Sequence, residues 1–333
     1  MIEAARPPRV GFLGVGWIGR HRMAAIADTG LIEVAAISDP SPEMQREAAA
    51  LAPAAIICES LDDLLAHDLD GLVIATPSAL HAEQSIRALH AGVAVFCQKP
   101  LGRTAREVRA VVDAGRTADR LLAVDLSYRF TAGMARIADL VRSGALGRVH
   151  AIDLTFHNAY GPDKPWFYDR ALSGGGCVMD LGVHLVDLAL WAMDFPALRG
   201  PVTASLTADG APIADGTAVE DFAVASFALE DGPVVRLACS WRLHAGREAD
   251  IAAIFYGTDG GAALRNVDGS FYDFTAELYR GTSTETLTSP PDDWGGRAAA
   301  DWATRLAAGA RFDPAAERLV DVAHVLDRIY AAA

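Results

Sequence analysis

The chain has 333 residues, 51% of them apolar and 22% charged, with a formal charge of −14. That length accommodates two domains, and the acidity argues against a nucleic-acid partner, which needs a basic face. No apolar run in the sequence approaches the ~20 residues of a membrane span, and MIEAARPPRVGF has no signal-peptide core.

Short apolar runs at 9–15, 32–38, 54–58, 71–76, 93–97 and 121–127 predict strands, and helical patterns fill the intervals at 19–29, 42–51, 61–66, 79–91 and 104–118. The strands show no clean in/out alternation, as expected where both faces are covered. Strand–helix repetition at this spacing implies a doubly wound parallel sheet with right-handed crossovers. A helix at 131–143 follows, then a strand in VHAIDLTFHNAY, then a helix opened by the glycine run in LSGGGCVMD. Alternating runs from 202 to 288, separated by turns such as EDGP and TDGG, predict an antiparallel sheet. Helical patterns at 297–308 and 314–331 close the chain. The expected domains are 1–125 and 126–333. Four cysteines, Cys58, Cys97, Cys177 and Cys239, lie far apart with no CxxC pair. Buried thiols are expected rather than disulfides or a metal site, and the expected location is the cytoplasm.

The loop G14-V-G16-W-I-G19 follows the first strand and opens the first helix. Gly14 suits a tight turn, Gly16 a close approach of backbone to pyrophosphate, and Gly19 helix-on-strand packing. With Trp17 and Ile18 these residues form the expected phosphate cradle, at a helix start whose N–H groups favour anions. Asp39 ends the second strand, where a carboxylate takes ribose hydroxyls and repels a 2′-phosphate. NAD is therefore expected before NADP.

Only two lysines, Lys99 and Lys164, stand among 29 basic side chains. Lys99 lies just past the fifth strand, facing the crevice where doubly wound sheets bind ligands. Pro100 restricts its backbone. An ammonium is a mobile donor whose pKa responds to burial, which a guanidinium is not. Lys164, in GPDKPWF, reads as a surface or lid residue. Asp180, His184 and Asp187 recur at spacings of four and three in an otherwise apolar helix, so they share a face. A carboxylate beside an imidazole orients it and tunes its pKa.

GVGWIG, ATPSALHAEQSIRALHAGVAVFCQKPLG and GGGCVMDLGVHLVD together resemble the glucose–fructose oxidoreductase / inositol dehydrogenase (Gfo/Idh/MocA) family from about residue 8 onward. The resemblance implies an N-terminal Rossmann domain and a C-terminal α/β domain with a large open, mostly antiparallel sheet. That sheet would carry homodimer or homotetramer contacts. Lys99, Asp180 and His184 would be catalytic, and Thr76, Pro77, His81 and Gln98 would join Lys99 in binding the cofactor. Gln98 stands where the family usually has Glu, and Ser78 where Asn is common.

The implied reaction is hydride transfer between a secondary alcohol of a sugar or polyol and a nicotinamide. His184 would act as base, Lys99 would stabilise negative charge on the substrate oxygen, and Asp180 would orient the site. Substrate contacts are expected from Lys99, Arg129, His157, Trp166, Asp180 and His184, with Phe156, Tyr160, Tyr168 and Arg170 as weaker candidates. Two alternatives stand: an NAD-dependent glycosidase using transient oxidation, and a non-catalytic NAD- and sugar-binding sensor.

Overall fold

The computed structural model describes residues 6–213, 218–230 and 232–333. The EDGP turn expected at 230–233 includes residue 231 and lies partly outside them. The first half runs β1 (Arg9–Leu13), α1 (Trp17–Ala27), β2 (Glu33–Ser38), α2 (Pro42–Leu51), β3 (Ile56–Ile57), α3 (Leu61–Leu65), β4 (Gly71–Ile74), α4 (Ser78–His90), β5 (Ala94–Cys97), α5 (Ala105–Ala118) and β6 (Leu122–Val124). The second half runs α6 (Ala132–Arg142), β7 (Val149–Asn158), α7 (Arg170–Ser173), a π turn (Val178–Gly182), α8 (Val183–Ala192), β8 (Leu198–Ala208), β9 (Ala211–Pro212), β10 (Phe222–Leu229), β11 (Val234–Ser240), β12 (Ala249–Gly257), β13 (Gly261–Asn266), β14 (Phe274–Arg280), β15 (Ser283–Thr288), α9 (Arg297–Ala307) and α10 (Arg318–Ala331).

Two compact units result. The first comprises Met1–Gly102, Arg106–Asp125 and Gly296–Leu319; the second Arg103–Ala105, Leu126–Gly295 and Val320–Ala333. The expected ranges were single segments. The difference is that α9, assigned to the second domain by its position in the chain, packs in the first unit. Its Trp302 is fully buried and lies 5.8 Å from the Phe96 ring on β5. Gly71 makes room for it: a Cβ there would lie 2.7 Å from the indole.

The first unit is built on a six-stranded sheet in the order β3-β2-β1-β4-β5-β6, every pairing parallel. This doubly wound order places the loops after β1, β2, β4, β5 and β6 along one edge. β3 departs from the expectation of strands covered on both faces. It keeps two paired residues at the sheet edge, Ile56 and Ile57, both exposed.

The second unit carries a nine-stranded sheet in the order β15-β14-β13-β12-β7-β11-β10-β8-β9. Among the described residues, only β7 and β11 pair in parallel; the other neighbours are antiparallel. β7 alternates buried Ile152, Leu154 and Phe156 with more accessible Ala151, Asp153 and Thr155, as a strand with one core face must. The helical run Arg170–Ala192 is long and apolar enough to cross a bilayer by length and composition, unlike any run expected from the sequence; 89% of its apolar window is buried in the protein, as in a core helix.

Trp302→Ala is expected to lower the unfolding free energy of the first unit by about 3–5 kcal/mol through the cavity it leaves. Chemical denaturation followed in that unit checks this.

Candidate active site

In the first unit, the loop after β1 has the form a dinucleotide requires. Gly14 takes φ +82°, and a Cβ on Gly19 would lie 2.1 Å from the Gly14 carbonyl oxygen, so both positions need glycine. A Cβ on Gly16 would meet nothing within 4 Å. Gly16 is the N-cap of α1, with no side-chain cap and no acidic residue in the first turn. The N–H groups at that end and the space above Gly16 suit a diphosphate. Trp17 projects into solvent, 5.9 Å from the His21 ring, and Ile18 is half-buried.

Asp39 is held at the loop. Its Oδ2 accepts the Val15 N–H at 2.8 Å and its Oδ1 the Ser41 N–H at 2.8 Å. Each oxygen keeps a lone pair for a ribose hydroxyl. A nearby cation, Arg20, donates to the Val15 carbonyl and pairs with Glu47 at 2.5 Å.

Past β4, Thr76 Oγ1 donates to Gln84, and Pro77 precedes α4. His81 is buried with Nδ1 2.7 Å from the Pro100 carbonyl and Nε2 2.7 Å from the Thr76 carbonyl. His81 therefore ties the turn after β4 to the turn that carries Lys99. Both ring nitrogens are engaged by backbone, which makes it a brace for the cradle. Lys99 is half-buried, and its peptide bond to Pro100 is cis.

Gln98 explains itself through a neighbour that the sequence reading passed over. Asp125, just past β6, is 1% exposed. Its Oδ2 accepts from Arg22 Nε at 2.5 Å and from the Gln98 amide. Arg22 is itself buried on α1. A glutamate in place of Gln98 would set a second carboxylate against Asp125, with one cation to serve both. The amide donates where a carboxylate could only accept.

In the second unit, Asp180 lies in the π turn and His184 in the first turn of α8. π turns concentrate at functional sites. Asp180 Oδ2 accepts from Trp241 Nε1 at 3.0 Å. His184 is 7% exposed and packs edge-on against Tyr128, ring centroids 4.9 Å apart. Burial, with the Asp180 charge adding to it, holds the Tyr128 phenol well above its ordinary value. A small apolar cavity of about 10 Å³ beside His184 is lined by Tyr128, Phe156, Leu185, Leu188, Ile251 and Leu264, among others.

The remaining expected contacts separate. Arg129 forms a two-point ion pair with buried Asp187, Nε to Oδ2 at 2.7 Å, and lies over the Trp191 and Phe195 rings. Its fork is engaged inside the fold, and Asp187, expected on the polar row, serves as its counter-ion. Burial pushes the Asp187 carboxyl up and Arg129 opposes that. His157 Nδ1 lies 2.8 Å from Ser240 Oγ and stacks on Phe222. Phe156 is core; Tyr160 is exposed with its hydroxyl to Glu248. Trp166 stacks on Phe167, while Phe167 and Tyr168 both pack edge-on to Trp241, the residue that holds Asp180. Arg170 lies over Tyr330. Lys164 is exposed and paired with Asp163.

All four cysteines are buried free thiols. Among the described residues, the donor atoms of Cys58, Asp63 and His67 lie within 4.8 Å of one another, a grouping not anticipated from the sequence. Burial and the Asp63 charge push the Cys58 thiol up to about 11, so it is protonated at neutral pH.

Residues 8–126 match the oxidoreductase family with an NAD-binding Rossmann fold, and residues 134–263 match the GFO/IDH/MocA C-terminal domain. The chain belongs to the Gfo/Idh/MocA family. Its relatives include D-glucoside 3-dehydrogenase of Escherichia coli K12, 26% identical over 85% of this chain and 81% of that protein. Inositol 2-dehydrogenase of Rhodococcus erythropolis is 32% identical over 56% of this chain and 53% of its own. Among solved structures, levoglucosan dehydrogenase in complex with NADH and levoglucosan superposes with a TM-score of 0.83 at 23% identity, covering 98% and 97% of the two chains. The fold is that of the Gfo/Idh/MocA dehydrogenases, and this chain is an NAD-binding oxidoreductase of that sugar and polyol dehydrogenase family.

Family membership makes the residues missed in the sequence more instructive. Asp125 was visible as one charge inside the apolar run LLAVDLS; Arg22 and Trp241 carried no local signal. Gln98→Glu is expected to lower stability by about 1.5–3 kcal/mol. Adding Asp125→Asn is expected to recover most of it, since the introduced carboxylate would then face Arg22 without a competing charge. Denaturation of the single and double variants decides this.

Burial lowers the His157 pKa below its ordinary value, with the Asp250 charge opposing weakly. The unfolded chain, with a histidine pKa of about 6.5, then binds more protons than the folded one as pH falls through that value. Stability from this group is complete above the unfolded pKa and is lost as pH drops below it. His157→Gln should therefore show a smaller loss of stability between neutral pH and pH about 5 than the parent chain, measured by denaturation midpoints.

Proposed function

We propose that the chain oxidises a secondary alcohol of a sugar or polyol using NAD, and can run the reverse reduction. The bound dinucleotide supplies the hydride acceptor. His184 takes the hydroxyl proton, imidazole being the side chain that most often serves as a general base. Lys99 is the candidate donor that would stabilise negative charge developing on a substrate oxygen. Asp180, fixed by Trp241, holds a neighbouring hydroxyl and orients the sugar. Tyr168, exposed and packed edge-on to buried Trp241, suits the apolar face of a sugar ring.

The observation that carries this reading is the placement of Asp180 and His184 four residues apart in the π turn and the helix it opens, in a chain whose other unit is an NAD-binding Rossmann fold. NAD is favoured over NADP by Asp39, whose two backbone bonds fix a carboxylate where the 2′-phosphate of NADP would be repelled. Relatives named for D-glucoside, levoglucosan and inositol oxidation support the substrate class.

With NAD and a panel of sugars and polyols, NADH should form with at least one substrate. Lys99→Ala and His184→Ala should each cut turnover about 100-fold or more while NAD still binds. Asp39→Ala should narrow the preference for NAD over NADP. Undiminished turnover in both catalytic variants, or glycoside cleavage without net NADH, would refute the assignment.

A further inference from the structure

The glycines 174–176 precede the helix that carries Asp180 and His184, and the structure shows what they admit. A Cβ on Gly176 would lie 1.9 Å from the Glu220 carbonyl oxygen, and a Cβ on Gly175 would lie 1.9 Å from the Tyr330 hydroxyl. Both residues lie far away in sequence, and both close on the start of this helix.

A helix leaves its first N–H groups without intrahelical partners. Here two residues take four in succession. The Gly176 and Val178 N–H groups donate to Glu220 Oε1, each at 2.9 Å. Cys177 N–H donates to the Glu220 main-chain carbonyl at 2.9 Å. Met179 N–H donates to the Tyr330 hydroxyl at 3.1 Å, and that hydroxyl donates onward to Glu220 Oε1 at 2.8 Å. The next N–H is that of Asp180, the first to bond within the helix, to the Gly176 carbonyl at 3.0 Å. Glu220 is wholly buried, and its negative charge lies at the helix end that favours it.

The residue after Glu220 reaches Asp180 from its other side. The Asp221 carbonyl accepts the Trp241 main-chain N–H at 2.7 Å, and the Trp241 indole holds the Asp180 carboxylate. The pair Glu220–Asp221 thus sets the backbone on which Asp180 is mounted and the side chain that aims it.

We propose that Glu220, acting with Tyr330, is the positioning residue for Asp180 and His184 in the oxidation proposed above, on which this inference rests. Glu220 touches neither substrate nor cofactor in this role. It fixes the start of the helix, and displacement of a reacting group by about 1 Å costs rate on the order of 100-fold.

The test uses the full chain and two readouts. Hydrogen exchange across 176–184 reports the helix start without any need for activity. Turnover with the best polyol, together with the KM for NAD, reports the consequence. Glu220→Ala should speed exchange in 176–184 about 10-fold or more while β1 to β6 stay protected, and should lower kcat about 30-fold with KM for NAD within about twofold. Glu220→Gln, whose amide oxygen can still accept from Gly176 and Val178, should stay within about threefold of the parent in both readouts. Tyr330→Phe should fall between them, and it carries the test if the alanine variant does not fold.

Parent-like exchange and kcat in Glu220→Ala or Tyr330→Phe would overturn the proposal. So would equal losses in the alanine and glutamine variants, which would assign the effect to charge rather than position. If the parent chain oxidises no polyol, the functional reading fails, and the exchange data alone still decide whether Glu220 and Tyr330 hold this stretch.

Discussion

Four consecutive backbone N–H groups, Gly176 to Met179, lie at the head of a helix sunk in the protein interior. Buried donors must find acceptors or cost a large fraction of the molecule's net stability. Glu220 and Tyr330 answer that demand from separate parts of the chain, and the cost is a buried carboxylate whose pKa burial raises against the pull of its donors. Side chains at 175 and 176 would block both contacts, so the glycines follow from the acceptors rather than from the helix. The placement of Asp180 and His184 is therefore tied to the folding of the second unit. Its last helix, α10, supplies Tyr330, and the residues just before β10 supply Glu220.

The first unit solves a parallel problem with a different ion. Asp125 is buried at the carboxyl edge of the sheet and receives Arg22 and Gln98 on a single oxygen. A buried ion pair gains little net stability over apolar packing, yet breaking one side of it is costly. Such a pair constrains its neighbours: position 98 must donate. The Gln98 amide is thus a consequence of the aspartate at 125, and the two positions form one polar unit with Arg22. His81 does the same for backbone, joining the carbonyls of Thr76 and Pro100 and fixing the turn on which Lys99 is carried.

What could be read from the sequence was whatever repeats or sits next to itself. The doubly wound sheet was legible because strand and helix periods alternate, and the phosphate loop because its glycines, strand and helix are contiguous. Asp180 and His184 stood out because a spacing of four predicts one helix face; the structure puts Asp180 in a π turn and His184 in the helix that follows. The rest depended on contacts between distant residues. α9 carries an amphipathic pattern that says it is a helix and nothing about which sheet it covers; Gly71, which admits Trp302, reads in sequence as an ordinary strand start. Arg129 looked open because its partner, Asp187, is 58 residues away, and Glu220 passed as the first residue of an alternating run because its donors lie more than forty residues upstream. β3 shows the reverse failure: an apolar run read as a covered strand is a two-residue edge with both isoleucines exposed.

The division of labour among the cations follows from the same physics. Buried ionic contacts in both units use arginine: Arg22 with Asp125, and Arg129 with Asp187. A guanidinium stays charged under burial, offers a planar fork and is weakly hydrated, so it suits a permanent structural charge. Lys99 belongs to the other kind of position. It is half-buried, it follows β5 at the ligand edge of the parallel sheet, and its turn is braced by His81. An ammonium there can approach an oxygen from a range of directions and respond to the charge that develops on it. The chain thus uses arginine for its buried ion pairs, while the turn after β5 carries the other basic side chain, whose compact ammonium donates without a fixed fork.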